Sequence, residues 1–311
     1  MLHMNGGTVL ETNPWDSMFE PNDQVKAIPT DLYTGVLSGQ TVMESDNPVD
    51  HTTNLAIYSY GWVNFRFPYP DGWTLVGSGV VDSSGMSKEI WRNNSTGQFG
   101  YWTINCTGTI HFGQLFNMGC DRVIGNTMAA TAGYTPHLAD LNGDGYLDIV
   151  WTGPSNDIYY WINDGQGNYT RSYGGTFPAG WTLEGAGEIV GSGKTDLIWS
   201  NASTSQFGWW VMNGTTVVDR QTRTVTSGYS IASIEDFDGD GLADLLWTDA
   251  GGDAYIWLGN GKGFVSQRVA NGDGTPYNIP AGYVVQKNRL QGVTQPVVQT
   301  LNATVATSST H

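Results

Sequence analysis

The chain has 311 residues, with 29 acidic against 13 basic side chains and a formal net charge of −16, a balance that repels phosphate backbones and anionic membrane surfaces and so sets nucleic acid aside as an expected partner. Glycine accounts for 42 residues and only 14% are charged, while 13 tryptophans and 15 tyrosines run through the chain, which suits many short aromatic strands joined by tight turns and not long amphipathic helices. The start has no basic stretch leading into an apolar run and no segment approaches 18 apolar residues, so neither an N-terminal signal peptide nor membrane insertion is expected.

Residues 1–50 contain Pro14, Pro21, Pro29 and Pro48 and no repeat signature. They read as an N-terminal arm that packs either on the rest of the chain or on other subunits of a larger particle. Residues 54–67 supply two strands, with Trp62 near their turn. From Gly72-Trp73 onward the chain repeats itself: Gly-aromatic pairs recur at Gly133-Tyr134, Gly180-Trp181, Gly228-Tyr229 and Gly282-Tyr283. In each of the first four units an apolar strand ends at Trp91, Trp151, Trp199 or Trp247, spaced by 60, 48 and 48 residues, and a second tryptophan follows at Trp102, Trp161, Trp210 or Trp257. About 48 residues with four short strands is the size of one propeller blade, and radial stacking of blades buries both faces of each small sheet.

The units alternate in type. Unit one contains Gln98-Phe99-Gly100-Tyr101-Trp102 and unit three contains Gln206-Phe207-Gly208-Trp209-Trp210, whereas units two and four place Tyr160-Trp161-Ile162 and Ile256-Trp257-Leu258 there. The extra length of unit one holds Cys106 and Cys120, the chain's two cysteines; a local disulfide between them is open on sequence alone. The fifth unit is incomplete, with strands expected near Val284-Val285 and residues 297–300. We therefore expect an all-β β-propeller over residues 51–311, of five blades, closed by N- and C-terminal strands in one shared blade to which residues 54–67 contribute.

Unit two contains Asp140-Leu141-Asn142-Gly143-Asp144-Gly145-Tyr146-Leu147-Asp148, and unit four contains Asp236-Phe237-Asp238-Gly239-Asp240-Gly241-Leu242-Ala243-Asp244. In such a D-x-[DN]-x-D-G-x-x-D loop the side chains at positions 1, 3 and 5 converge, the glycine at 6 permits the turn, and position 7, Tyr146 or Leu242, offers its backbone carbonyl. Hard oxygen ligands in a flexible loop suit Ca²⁺ over Mg²⁺ or Zn²⁺. Position 12 is Trp151 or Trp247 where an EF-hand needs Glu, so these are not EF-hands. The two loops resemble FG-GAP, or VCBS-type, repeats such as those of integrin α-chain propellers. The resemblance implies two Ca²⁺ sites, formed by Asp140, Asn142, Asp144, Tyr146 and Asp148 and by Asp236, Asp238, Asp240, Leu242 and Asp244. Unit three departs from it, with Val190 at position 3 and Lys194 at position 7, and unit one departs further, with Lys88 near the closing position. No metal is expected in those two.

Catalytic residues are not expected: His3, His51, His111, His137 and His311 show neither metal nor triad spacing, and no G-x-S-x-G elbow occurs. The expected function is a non-catalytic, calcium-stabilised recognition or adhesion module for a surface glycan or protein receptor, extracellular or on a phage or virion surface. The alternative is a structural protein docked into a particle through residues 1–50. If Trp102 and Trp210 pack between blades, Tyr101 and Trp209 point the other way, where the next blade of a propeller buries them; if instead they reach a rim they are candidate ligand-binding platforms.

Overall fold

The computed structural model describes residues 48–53, 65–86, 88–105, 119–271 and 273–279 with their side chains, and further strand segments by backbone alone. The described residues are all-β. Strands β1 (Leu2–Asn5), β2 (Thr8–Thr12), β3 (Gln24–Ala27), β4 (Thr41–Asn47), β5 (Thr52–Tyr58) and β6 (Trp62–Pro68) precede the repeats. Unit one then comprises β7 (Trp73–Val80), β8 (Ser87–Asn93), β9 (Gln98–His111) and β10 (Gln114–Ala129). Unit two comprises β11 (Thr135–Ala139), β12 (Asp148–Thr152), β13 (Asp157–Asn163) and β14 (Tyr169–Thr176). Unit three comprises β15 (Thr182–Gly187), β16 (Asp196–Asn201), β17 (Gln206–Asn213) and β18 (Thr216–Thr224). Unit four comprises β19 (Ser230–Glu235), β20 (Asp244–Thr248), β21 (Ala254–Gly259) and β22 (Phe264–Arg268).

Each unit is a four-stranded antiparallel sheet in sequential order. The first strands β7, β11, β15 and β19 adjoin one another in turn, as the innermost strands of a β-propeller do. A fifth four-stranded meander, β3 to β6, stands before these four blades.

That meander corrects the expected pairing of residues 54–67. Their strands β5 and β6 bond to β4 and to each other, and β4 bonds to β3, so the sheet crosses residue 50 and draws its partners from the preceding segment. The reason is proximity: β4 and β5 are separated by a short turn, at which His51 adopts a positive φ of 52°, and closing so short a loop costs far less entropy than recruiting strands from the other end of the chain. A sheet shared between the chain's ends does occur, built by other strands. There β1 pairs with β2 and with β25 (Asn302–Ala303), and β2 pairs in parallel with β23 (Ala270–Asn271), while β24 (Val284–Val285) pairs with β26 (Val305–Ala306). The strand expected over 297–300 lies outside the described residues.

The tryptophans are packing residues. Within each unit the second-strand and third-strand rings meet, at centroid distances of 4.4 Å for Trp91–Trp102, 5.0 Å for Trp151–Trp161, 4.6 Å for Trp199–Trp210 and 5.1 Å for Trp247–Trp257. Unit one is fastened to the meander before it by Arg122, which binds Glu89 through two 2.8 Å contacts and donates to the Phe67 carbonyl at 3.2 Å. Arg122 also bonds Thr53. Beyond this clasp β9 and β10 continue as a long hairpin, in which Cys120 is disulfide-bonded and the chain's other cysteine, Cys106, is its partner in the ladder.

Candidate metal loops and the rim they occupy

Both acidic loops connect the first strand of a blade to the second, on one rim. Their glycines at positions 4 and 6 have left-handed φ, at 78° and 83° for Gly143 and Gly145 and 81° and 87° for Gly239 and Gly241, which side chains with a Cβ seldom adopt. The chain thus doubles back, and the position 1 carboxylate becomes the hub of the loop. Asp140 accepts the amides of Gly143, Asp144 and Gly145 at 2.8, 3.1 and 2.9 Å. Asp236 accepts those of Gly239, Asp240 and Gly241 at 2.7, 3.1 and 2.9 Å. Position 5 repeats as well: Asp144 accepts the Tyr146 amide and Asp240 the Leu242 amide, each at 2.8 Å.

In the unit-four loop, carboxylate oxygens of Asp236, Asp238 and Asp244 lie within 4.8 Å of one another. Oxygens about 2.4 Å from a common ion lie no more than about 5 Å apart, so these three side chains could hold a hard divalent cation. Asp240 is outside that trio. In the unit-two loop Asn142 turns its amide nitrogen to Asp144 at 2.8 Å, and its acids form no comparable trio among the described residues.

The closing aspartates have a structural duty that the ligand pattern does not reveal. Asp148 is fully buried and accepts the Leu141 amide at 2.9 Å and the Asn163 amide at 2.8 Å. Asp244 does the same with Phe237 at 2.6 Å and Gly259 at 2.7 Å. Unit three, without the acidic pattern, keeps this brace: Asp196 accepts Ile189 at 3.1 Å and Met212 at 2.9 Å. Each brace ties the start of the loop to the end of the third strand. Unit one inverts the charge, with Lys88 in that place bonded to Asp82. Burial pushes Asp148 and Asp244 up to about 7 against the pull of their amide donors, and the neighbouring loop carboxylates add to the rise. Asp196 is raised to about 6, again first by burial, with Glu188 adding to it.

The rim also links blade to blade. The residue before each closing position donates its amide to the previous unit: Leu147 to Val80 at 2.7 Å, Thr195 to Asp140 at 2.8 Å, and Ala243 to Glu188 at 2.6 Å. The hub residue Asp140 is therefore held on both sides.

Residues 140–187, beginning at that hub, match the FG-GAP-like repeat. The chain is a β-propeller carrying an FG-GAP-like repeat. No curated protein matches this chain in sequence. Among solved structures it is similar to AofleA from Arthrobotrys oligospora, with 11% identity and a TM-score of 0.48 over 82% of this chain and 77% of that one. It is similar also to a protein from Lactobacillus plantarum, with 14% identity and a TM-score of 0.45 over 84% and 73%. Virginiamycin B lyase from Staphylococcus aureus is a third, with 12% identity and a TM-score of 0.42 over 87% and 93%. At these identities and scores they bear on neither ligand nor activity.

Tyr101 and Trp209 take the buried course, and the platform alternative falls. They are 7% and 2% exposed, because the side of β9 and β17 that faces away from the tryptophan pair packs on the next blade. Lys88 sits 4.9 Å from the Tyr101 ring centre and Asn126 donates to its hydroxyl at 3.1 Å. Phe264 meets Trp209 edge-on at 5.5 Å.

Proposed function

We propose that this propeller is a non-catalytic recognition module whose blades are stiffened by Ca²⁺ at the unit-two and unit-four loops and whose surface binds a glycan or protein receptor, as on a virion or outside a cell. The observation that carries the metal half is the trio Asp236, Asp238 and Asp244, within 4.8 Å of one another, in a loop whose hub and position 5 hydrogen bonds are repeated in unit two. Calcium would supply positive charge where these carboxylates are crowded, held by Asp236 and Asp238, while Asp244 holds the loop to its blade. The non-catalytic half is supported by three of the buried acids. Asp148, Asp196 and Asp244 each accept two backbone amides, which leaves their oxygens poorly placed for proton transfer to a substrate.

The test is calorimetric titration of chelator-treated full-length protein with CaCl₂. Two binding events are expected in the wild type, and Asp238→Ala, an exposed substitution, removes one of them. No heat of binding, or a titration unchanged by Asp238→Ala, would contradict the proposal.

A further inference from the structure

In units one, two and three the tryptophan pair is capped by an arginine from the fourth strand. Arg122 lies 5.5 Å from the Trp102 ring centre, Arg171 3.9 Å from Trp161, and Arg220 4.5 Å from Trp210. Arg171 and Arg220 stand directly opposite their tryptophans in the ladder. All three rings are buried. Unit four breaks this rule: Ser266 is opposite Trp257, and among the described residues no cation lies over that ring. Trp257 is correspondingly only half-buried.

A groove of about 310 Å³ opens at this place, bordered by Trp209 and Arg223 of unit three and by Trp257, Asn260, Lys262 and Ser266 of unit four. Arg223 lies 5.3 Å from the Trp209 ring centre. Arg223 and Lys262 are both exposed, and neither forms an ion pair among the described residues. Two exposed cations bordering one groove, neither ion-paired among the described residues, are a local excess of positive charge in a chain of net charge −16. A groove of nearly equal size, about 300 Å³, lies on unit two beside Tyr134, Tyr159 and Tyr173, but there Arg171 covers Trp161 itself, the ring equivalent to Trp257, whereas Arg223 lies over Trp209 and leaves Trp257 uncapped.

What takes the missing arginine's place over Trp257 is limited by the rim. A second cation is repelled by Arg223 and Lys262. A flat apolar face is attracted to the ring, a carboxylate to the two cations, and hydroxyls to Asn260 and Ser266. We propose that this groove binds a pyranose bearing a carboxylate, of the uronic or sialic acid type, stacked on Trp257 with its carboxylate toward Arg223 and Lys262. The proposal rests on the reading of the propeller as a recognition module and names the ligand class of that module.

The full-length protein, in Ca²⁺, is titrated with free glucuronate, N-acetylneuraminate and glucose, following tryptophan fluorescence. At least one acid is expected to bind about tenfold or more tighter than glucose, and Arg223→Gln and Lys262→Gln each shrink that preference. Ser266→Arg, which rebuilds the cap of the other units, abolishes binding without lowering the Tm. Equal affinity for acid and neutral sugar, no binding of either acid at tens of millimolar, or binding unchanged by Ser266→Arg overturns the proposal. A glycan array with wild type and Ser266→Arg separates the two levels. Glycans bound equally by both proteins overturn the groove and leave the recognition module standing, whereas an array blank with wild type removes glycan recognition and the groove with it.

Discussion

At the level of single residues, the D-x-[DN]-x-D-G-x-x-D loop is two devices in one. The glycines and the closing aspartate shape the loop, and the Asp or Asn side chains at positions 1, 3 and 5 present oxygens. Unit three shows that the devices separate: Gly191 and Gly193 keep left-handed φ of 72° and 73° and Asp196 keeps its two amides, while Val190 and Ser192 stand at positions 3 and 5 and Glu188 is the one acid left at positions 1, 3 and 5. Asp196 therefore reports on the brace without any ligand role. Its folded pKa of about 6 is above the ordinary carboxylate value, so its stabilising contribution is fully present below about pH 4 and is lost as pH rises through about 6. Asp196→Asn keeps one acceptor and sets an NH₂ against the other amide, which costs about 1–3 kcal/mol. Urea unfolding should then show the gap between wild type and Asp196→Asn narrowing from pH 4 to pH 7. A gap that widens would mean that the amide donors outweigh burial.

At the level of strands and blades, the alternation of the repeat is an alternation of interfaces. Phe99 of unit one packs edge-on against Trp151 of unit two at 5.2 Å, and Phe207 of unit three packs against Trp247 of unit four at 5.5 Å. Units one and three thus supply a phenylalanine to the tryptophan pair of the following blade. The glycine after it serves the opposite edge of the same strand: a Cβ on Gly100 would sit 2.4 Å from the Asn126 carbonyl, and one on Gly208 2.5 Å from the Gln221 carbonyl. Gly208→Ala therefore forces β17 from β18 and should destabilise the domain by about 1–3 kcal/mol, read as a lower urea midpoint. An unchanged midpoint would show the outer strand free to shift. The shared Q-F-G-aromatic-W motif is plain in the sequence, and so is burial of the paired tryptophans. Burial of Tyr101 and Trp209 follows from the same alternation, since the two opposite faces of the strand both meet a neighbouring blade.

At the level of the whole molecule, the repeat period makes the propeller legible in the sequence, because units of about 48 residues bury their faces only against each other. The strand partners of residues 54–67 are not legible there, since β3 and β4 carry no tryptophan and so lack the repeat's signature. Within the loops, ligand residues are recognisable by type and spacing. The brace and the rim bonds are made by backbone amides, which leave no mark on side-chain identity. Those rim bonds join the hub of the unit-two loop to unit three, and the unit-three loop to unit four. Fixing a loop with an ion thus stiffens two blades and not one, and the stability of the ring becomes the readout of the metal. The direct measurement is the thermal unfolding midpoint of the full chain in excess CaCl₂ and in excess EGTA. Calcium at about a hundred times its dissociation constant adds roughly 2.7 kcal/mol per site, or at least about 4 °C in Tm for a chain of this size. A shift of that order in the wild type, reduced in Asp238→Ala, is the predicted result, and midpoints that coincide in calcium and in EGTA would contradict a calcium-stabilised propeller.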